Sequence, residues 1–131
     1  MVSRLLLICL AGALGTGTRY LIGVWASERF GSAFPYGTLI VNVVGCFLIG
    51  AVLEIALSAG FSATLRLSLT SGFLGGLTTY SAFAAETVSL ARGGARNAAL
   101  ANFAVTSVAC LVAVALGIML ARLWCPSAAG E

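Results

Sequence analysis

Between Ser71 and Phe83 the chain carries Gly72, Gly75 and Gly76, the hydroxyls of Ser71, Thr78, Thr79 and Ser81, and the rings of Tyr80 and Phe83, all inside an apolar stretch. Glycine weakens a helix. In hydrocarbon every backbone N–H and C=O needs a partner, so such a run is tolerated only where it is buried in protein or lines a polar cavity. The chemistry it suits is ion coordination, because freed carbonyls hold cations while N–H and O–H groups hold anions.

Two polar stripes accompany that run. Thr38 and Asn42 are four apart, with Gly45 alongside, and Asn102, Thr106 and Cys110 repeat the spacing with Ser107 beside them. At that spacing side chains share one helical face. Such residues either bond between helices, at about 1 kcal/mol or less each, or form a polar path. Tyr80 and Phe83 also share a face, the spacing of packing aromatics and equally of two rings turned edge-on to a pore, where the positive ring edge attracts an anion weakly. Arg19 lies deep in the first apolar segment, so its charge must snorkel, pair or line a wet vestibule. Glu86 continues the Tyr80 face and Glu54 sits late in the second segment. Carboxylates at such depths carry protons in a transporter or pair with Arg near the interface.

Four apolar segments must position these groups: about 5–25, 36–57, 65–90 and 97–123. Each is long enough to cross a hydrocarbon core of roughly 30 Å. The third, as one unbroken helix, would run to about 39 Å, and an interruption near Gly75–Thr79 relieves the mismatch. With 131 residues, 60% hydrophobic and 8% charged, the chain lacks the polar surface of a soluble domain. The reading is therefore one all-α membrane domain over residues 1–125 and a polar tail over 126–131. The first segment continues through Tyr20–Trp25 beyond Arg19, as a spanning helix needs and a cleaved signal peptide does not.

Chemistry of other kinds is disfavoured. Without histidine, a Ser-His-Asp or Cys-His nucleophile cannot be assembled, so the chain does not read as an enzyme. Cys9, Cys46, Cys110 and Cys125 are scattered through apolar sequence and read as small packing residues. The seven arginines are dispersed, leaving no nucleic-acid patch, and no nucleotide motif is present. Placed by loop, Arg4, Arg66 and Arg122 fall on one side of the membrane and Arg29, Arg92 and Arg96 on the other. Orientation normally follows an Arg/Lys excess in cytoplasmic loops, so this balance predicts insertion both ways and pairing of opposed copies. The alternative is that lipid or a partner fixes one orientation. Small residues four apart, at Gly72/Gly76 and Cys46/Gly50, predict close helix packing.

Three stretches, Gly12–Tyr20, Gly37–Gly45 and Gly72–Phe83, occur in order on the first, second and third segments, and through them the chain resembles the Fluc/CrcB family of fluoride channels over nearly its whole length. That resemblance implies four transmembrane helices with the third broken, an antiparallel dual-topology homodimer with two pores, and a sodium ion at the dimer centre held by the backbone carbonyls of Gly75 and Thr78. It implies that Asn42 donates to fluoride and that Phe83 and Tyr80 are the pore-facing rings. Tyr80 stands where the family commonly has Phe. Thr79 would be a pore-side hydroxyl, Arg19 a positive charge at the vestibule, and Asn102 and Thr106 a continuation of the family's polar track in the fourth segment, with Cys110 a weaker donor there; Thr38 joins the expected path through the face it shares with Asn42. The implied role is passive export of cytoplasmic fluoride across a bacterial inner membrane, with fluoride, the lipid bilayer and a second copy as partners and no nucleic acid. A proton-coupled small multidrug transporter is similar in size but needs an embedded Glu in its first helix, where this chain has Arg19 and no acid.

Overall fold

A computed structural model describes residues 1–124. Cys125 and the polar tail lie outside the described residues. The described chain is helical: α1 (Val2–Phe30), α2 (Tyr36–Ser58), α3 (Ala63–Leu67), a π-helical stretch (Ser68–Leu74), α4 (Gly75–Leu77), α5 (Tyr80–Arg92) and α6 (Arg96–Trp124). Among the described residues, α1, α2 and α6 are long and apolar enough to cross a membrane. The expected third span is present in pieces. Its backbone turns π-helical at Ser68, eight residues before the glycine pair ends, and becomes extended at Thr78 and Thr79, with φ/ψ of −85°/154° and −152°/111°. The interruption thus sits at the C-terminal end of the expected stretch, and short π segments are frequent at functional sites.

Glycine decides which helices touch. A Cβ at Gly15 would collide with the Phe73 carbonyl, and one at Gly76 with the Gly12 carbonyl, so α1 lies directly against the broken span. Gly50 meets the backbone of Val114, and Gly117 meets that of Phe47, which sets α2 and α6 side by side. Filling such a contact with extra carbon costs about 1–3 kcal/mol. The contacts Gly50–Val114 and Glu54–Arg122 advance together along both helices, so α2 and α6 run parallel, while Gly37 packs on Gly23 where α2 returns along α1. A small core of Val41, Leu74 and Leu77 fills the space where α2 meets the broken span.

The chain reverses after α1 at Gly31, whose φ of 78° suits glycine, and Pro35 precedes α2. Around this turn Trp25, Phe30, Phe34 and Tyr36 form a chain of ring contacts 4.9–5.7 Å apart. Aromatic clusters of this kind settle at the membrane–water boundary. Leu5, Leu6, Leu14 and Leu21 on α1 and Leu111, Leu123 and Trp124 on α6 stay exposed, leaving broad apolar faces on the single chain.

Candidate functional site

The break is built by Asn42. Its side-chain Nδ2 donates to the Thr79 carbonyl at 3.1 Å, and its Oδ1 accepts from the Thr79 N–H at 2.7 Å. Asn42 is 7% exposed, so both bonds are formed away from water. An unbroken helix would have aimed the Thr79 N–H at the Gly75 carbonyl. Here that donor is given to Asn42, and the Gly75 carbonyl is released. Thr79 completes the break from the other side, its Oγ1 accepting from the Ala82 N–H at 3.2 Å as the N-cap of α5. That N–H would otherwise serve the Thr78 carbonyl, which is released in turn. The two freed carbonyls belong to the two residues that the family resemblance implied for a cation. Gly75 is exposed on the surface of the chain and Thr78 is half-buried.

Asn42 therefore serves as a clamp as well as a candidate ligand. Two amide hydrogens sit on Nδ2 and the Thr79 carbonyl takes one, so a single N–H remains for an ion. Beside the clamp lies a cavity of about 410 Å³, bordered by Asn42, Cys46, Thr78, Thr79, Tyr80, Phe83, Thr106, Ser107, Cys110 and Leu111. Four expected path residues from three separate segments thus meet here: Asn42, Thr79, Phe83 and Thr106, with Tyr80 at the rim. Phe83 is 5% exposed and Tyr80 is 78% exposed, their ring centres 5.5 Å apart and tilted by 57°. A third ring, Phe103, stacks on Phe83 at 6.3 Å.

Thr38 is placed apart from that cavity. Its hydroxyl donates to Glu86 Oε1 at 2.7 Å, and both residues line a second cavity of about 320 Å³ under the turn between α1 and α2. The other oxygen of Glu86 is buried without a partner among the described residues. Since Thr38 and Asn42 are one turn apart on α2, the two cavities follow one another along the same helix face. Asn102 is almost fully buried and lines neither cavity. It donates to Thr87 Oγ1 at 2.8 Å and accepts from Thr106 at 3.3 Å, while Thr87 donates to the Phe83 carbonyl at 2.7 Å. This chain of bonds fixes α5 to α6 directly behind Phe83. Arg19, half-exposed on α1, lines neither cavity. Glu54 pairs with Arg122 at 3.1 Å, the interfacial pairing that the sequence left as one option.

Sequence spacing did not single out Thr87, and it named Ser81 only as one hydroxyl of the Ser71–Phe83 run. Thr87 stands four residues after Phe83 and so continues its face, which was the available signal. Ser81 shares a 3.2 Å hydrogen bond with the Thr79 hydroxyl. Among the described residues no group of three or more His, Cys, Asp or Glu is placed to hold a metal ion.

Comparison with known proteins bears on the same stretch of chain. Residues 6–118 match the model of the CrcB-like protein, Camphor Resistance (CrcB) family. A protein of Sorangium cellulosum named fluoride-specific ion channel FluC is 53% identical over 116 residues, covering 88% of this chain and 91% of that one. Proteins of the same name from Citrifermentans bemidjiense and Clostridium perfringens are 48% and 42% identical, over 92% and 90% of this chain and 98% and 93% of theirs.

Proposed function

The chain belongs to the CrcB family, a family of multi-pass membrane proteins, and from that membership we propose that it is a passive, fluoride-selective anion channel. The observation that carries the reading is the Asn42–Thr79 double hydrogen bond, which holds a helix open inside an apolar chain beside a cavity edged by Phe83, Thr79 and Thr106. Fluoride is small and strongly hydrated, so a path for it must replace water with N–H and O–H donors while leaving each site weak enough to vacate. The remaining Asn42 N–H, the Thr79 hydroxyl and the Phe83 ring edge supply weak contacts of that kind. Flow is down the gradient and relieves the cytoplasm of fluoride that entered as neutral HF and was trapped as the anion at higher internal pH.

The test is fluoride efflux, read by electrode, from liposomes containing only this purified protein. Rapid loss of fluoride with chloride retained is the expected result. Equal leak of both ions, or none of either, overturns the reading.

In the proposed assembly the broken stretch from α3 to α5 counts as a fourth crossing, and two copies pair in opposite orientations. Exposed leucines on α1 and α6 and the balanced Arg counts support that arrangement. Terminal reporters are then expected to label both sides of a native membrane, and a single orientation would rule the antiparallel dimer out. Adding two or three lysines to one loop biases insertion, and activity then requires oppositely biased copies together. Within one chain Arg19 lines neither cavity, so its place at a vestibule depends on the face a second copy provides.

Freed carbonyls at Gly75 and Thr78 are hard, uncharged oxygen donors, which fit sodium and not a soft metal. Gly75 and Thr78 of each copy would hold that ion between the broken spans. When bound, sodium supplies a fixed positive charge that ties the two copies together and favours anions nearby. Asn42 and Thr79 keep the carbonyls available by withholding the N–H groups that would otherwise claim them.

A further inference from the structure

We propose that Cys46 and Cys110 form a two-coordinate site for a soft d10 cation, of the copper(I) and silver(I) class, in the wall of the cavity beside Asn42. Cys46 and Cys110 stand one turn before Gly50 and Val114, which touch across the α2–α6 contact, so the register puts the two thiols on facing turns; both are free and half-buried, and both border the cavity of about 410 Å³. The helix contact is held by backbone. One turn further along, Gly50 meets Val114 and then Gly117 meets Phe47 with no room for a Cβ, so the helices cannot drift apart without losing that packing. Soft thiolate ligands select soft metals, and two of them satisfy a linear d10 ion. Zinc, which takes four ligands, finds too few here, because among the described residues no third Cys, His, Asp or Glu joins the pair.

Binding balances without redox chemistry. Two S–H bonds break, two metal–sulfur bonds form, and two protons leave to water while no electrons move. A monovalent ion replacing two protons changes the charge of the site from zero to minus one. That charge sits on the cavity that Asn42 and Phe83 also border, so an occupied site opposes entry of an anion. This last consequence rests on the channel reading, whereas metal binding itself does not.

The test uses the full chain with Cys9→Ser and Cys125→Ser, titrated with silver nitrate in chloride-free detergent buffer, since silver chloride precipitates. Expected are one silver ion retained per chain, two protons released per ion, and a metal–thiolate absorption band. Further substitution of Cys46→Ser or Cys110→Ser should weaken binding by more than the roughly 100-fold cost of losing an outer-shell partner. Cys46→Met keeps a soft but proton-free ligand, and should retain part of the affinity while releasing one proton fewer. Cys46→Ala provides a second truncation should serine disturb the fold, with assembly checked by size exclusion. Equal silver affinity in a single-cysteine variant overturns the site. A Cys46–Cys110 disulfide formed with diamide, in protein that retains no silver, overturns it in favour of redox pairing. Fluoride efflux measured in parallel separates the two claims: silver retained by a protein that never conducts fluoride supports the metal site and removes the channel reading. Silver retained without slowing a conducting protein removes only the block.

Discussion

Asn42→Asp is expected to abolish fluoride efflux at neutral pH. The native amide gives Thr79 one acceptor and one donor, so an aspartate keeps the first contact and turns the second into two oxygens facing each other at about the present 3.1 Å. Asn42 is buried, so water does not relieve that conflict. The same carboxylate meets any anion that comes to the remaining N–H. Two unit charges about 4 Å apart repel by about 4 kcal/mol at the effective dielectric of a partly buried site, equivalent to about a thousandfold in rate. The measurement is electrode-read efflux from liposomes, with size exclusion confirming assembly. Normal efflux from a normally assembled variant would take Asn42 off the path and leave it only as the clamp of the break.

Residues whose meaning is local were legible before the structure. The Gly75–Thr79 stretch announced a broken helix because glycines and hydroxyls weaken a helix wherever they fall, and the break appears at Thr78 and Thr79. The face shared by Asn102 and Thr106 was equally local, and the two are hydrogen-bonded. Pairings across the fold were not legible. Asn42 and Thr79 are 37 residues apart in sequence, and no periodicity says that an asparagine on one helix will take the N–H of a residue on another. Thr38 shows the converse. Its spacing grouped it with Asn42, yet one helical turn carries it to Glu86 and a different cavity. The cysteines were read as packing residues because their spacing along the chain is irregular, and only the parallel register of α2 and α6 brings Cys46 and Cys110 to one cavity. Arg19 illustrates a further limit: the resemblance implied a vestibule position, and within the single chain it lines neither cavity.

Phe83→Ile is expected to depress fluoride flux by about tenfold or more while leaving the protein folded. Isoleucine is smaller but stays apolar at a site only 5% exposed, and a hydrophobic exchange near constant volume usually costs less than about 1.5 kcal/mol. What is lost is the ring: its positive edge toward the cavity and its contacts with Tyr80 at 5.5 Å and Phe103 at 6.3 Å. Aromatic contacts are worth about 0.5–1.5 kcal/mol beyond buried area, and the upper end of that range corresponds to about tenfold in rate. Tyr80→Phe should behave differently. Tyr80 is 78% exposed in the single chain and its hydroxyl makes no hydrogen bond among the described residues. Removing that hydroxyl keeps the ring and its edge, so flux should stay within about twofold of the native protein. Efflux from the two variants, reconstituted at equal density, should therefore diverge. Normal conduction by a well-assembled Phe83→Ile protein would make the rings packing residues only, since Asn102 and Thr87 hold the Phe83 backbone regardless of its side chain. Silence of Tyr80→Phe alone would instead make the tyrosine hydroxyl a fluoride ligand, moving the point of contact from the ring edge to the rim of the cavity.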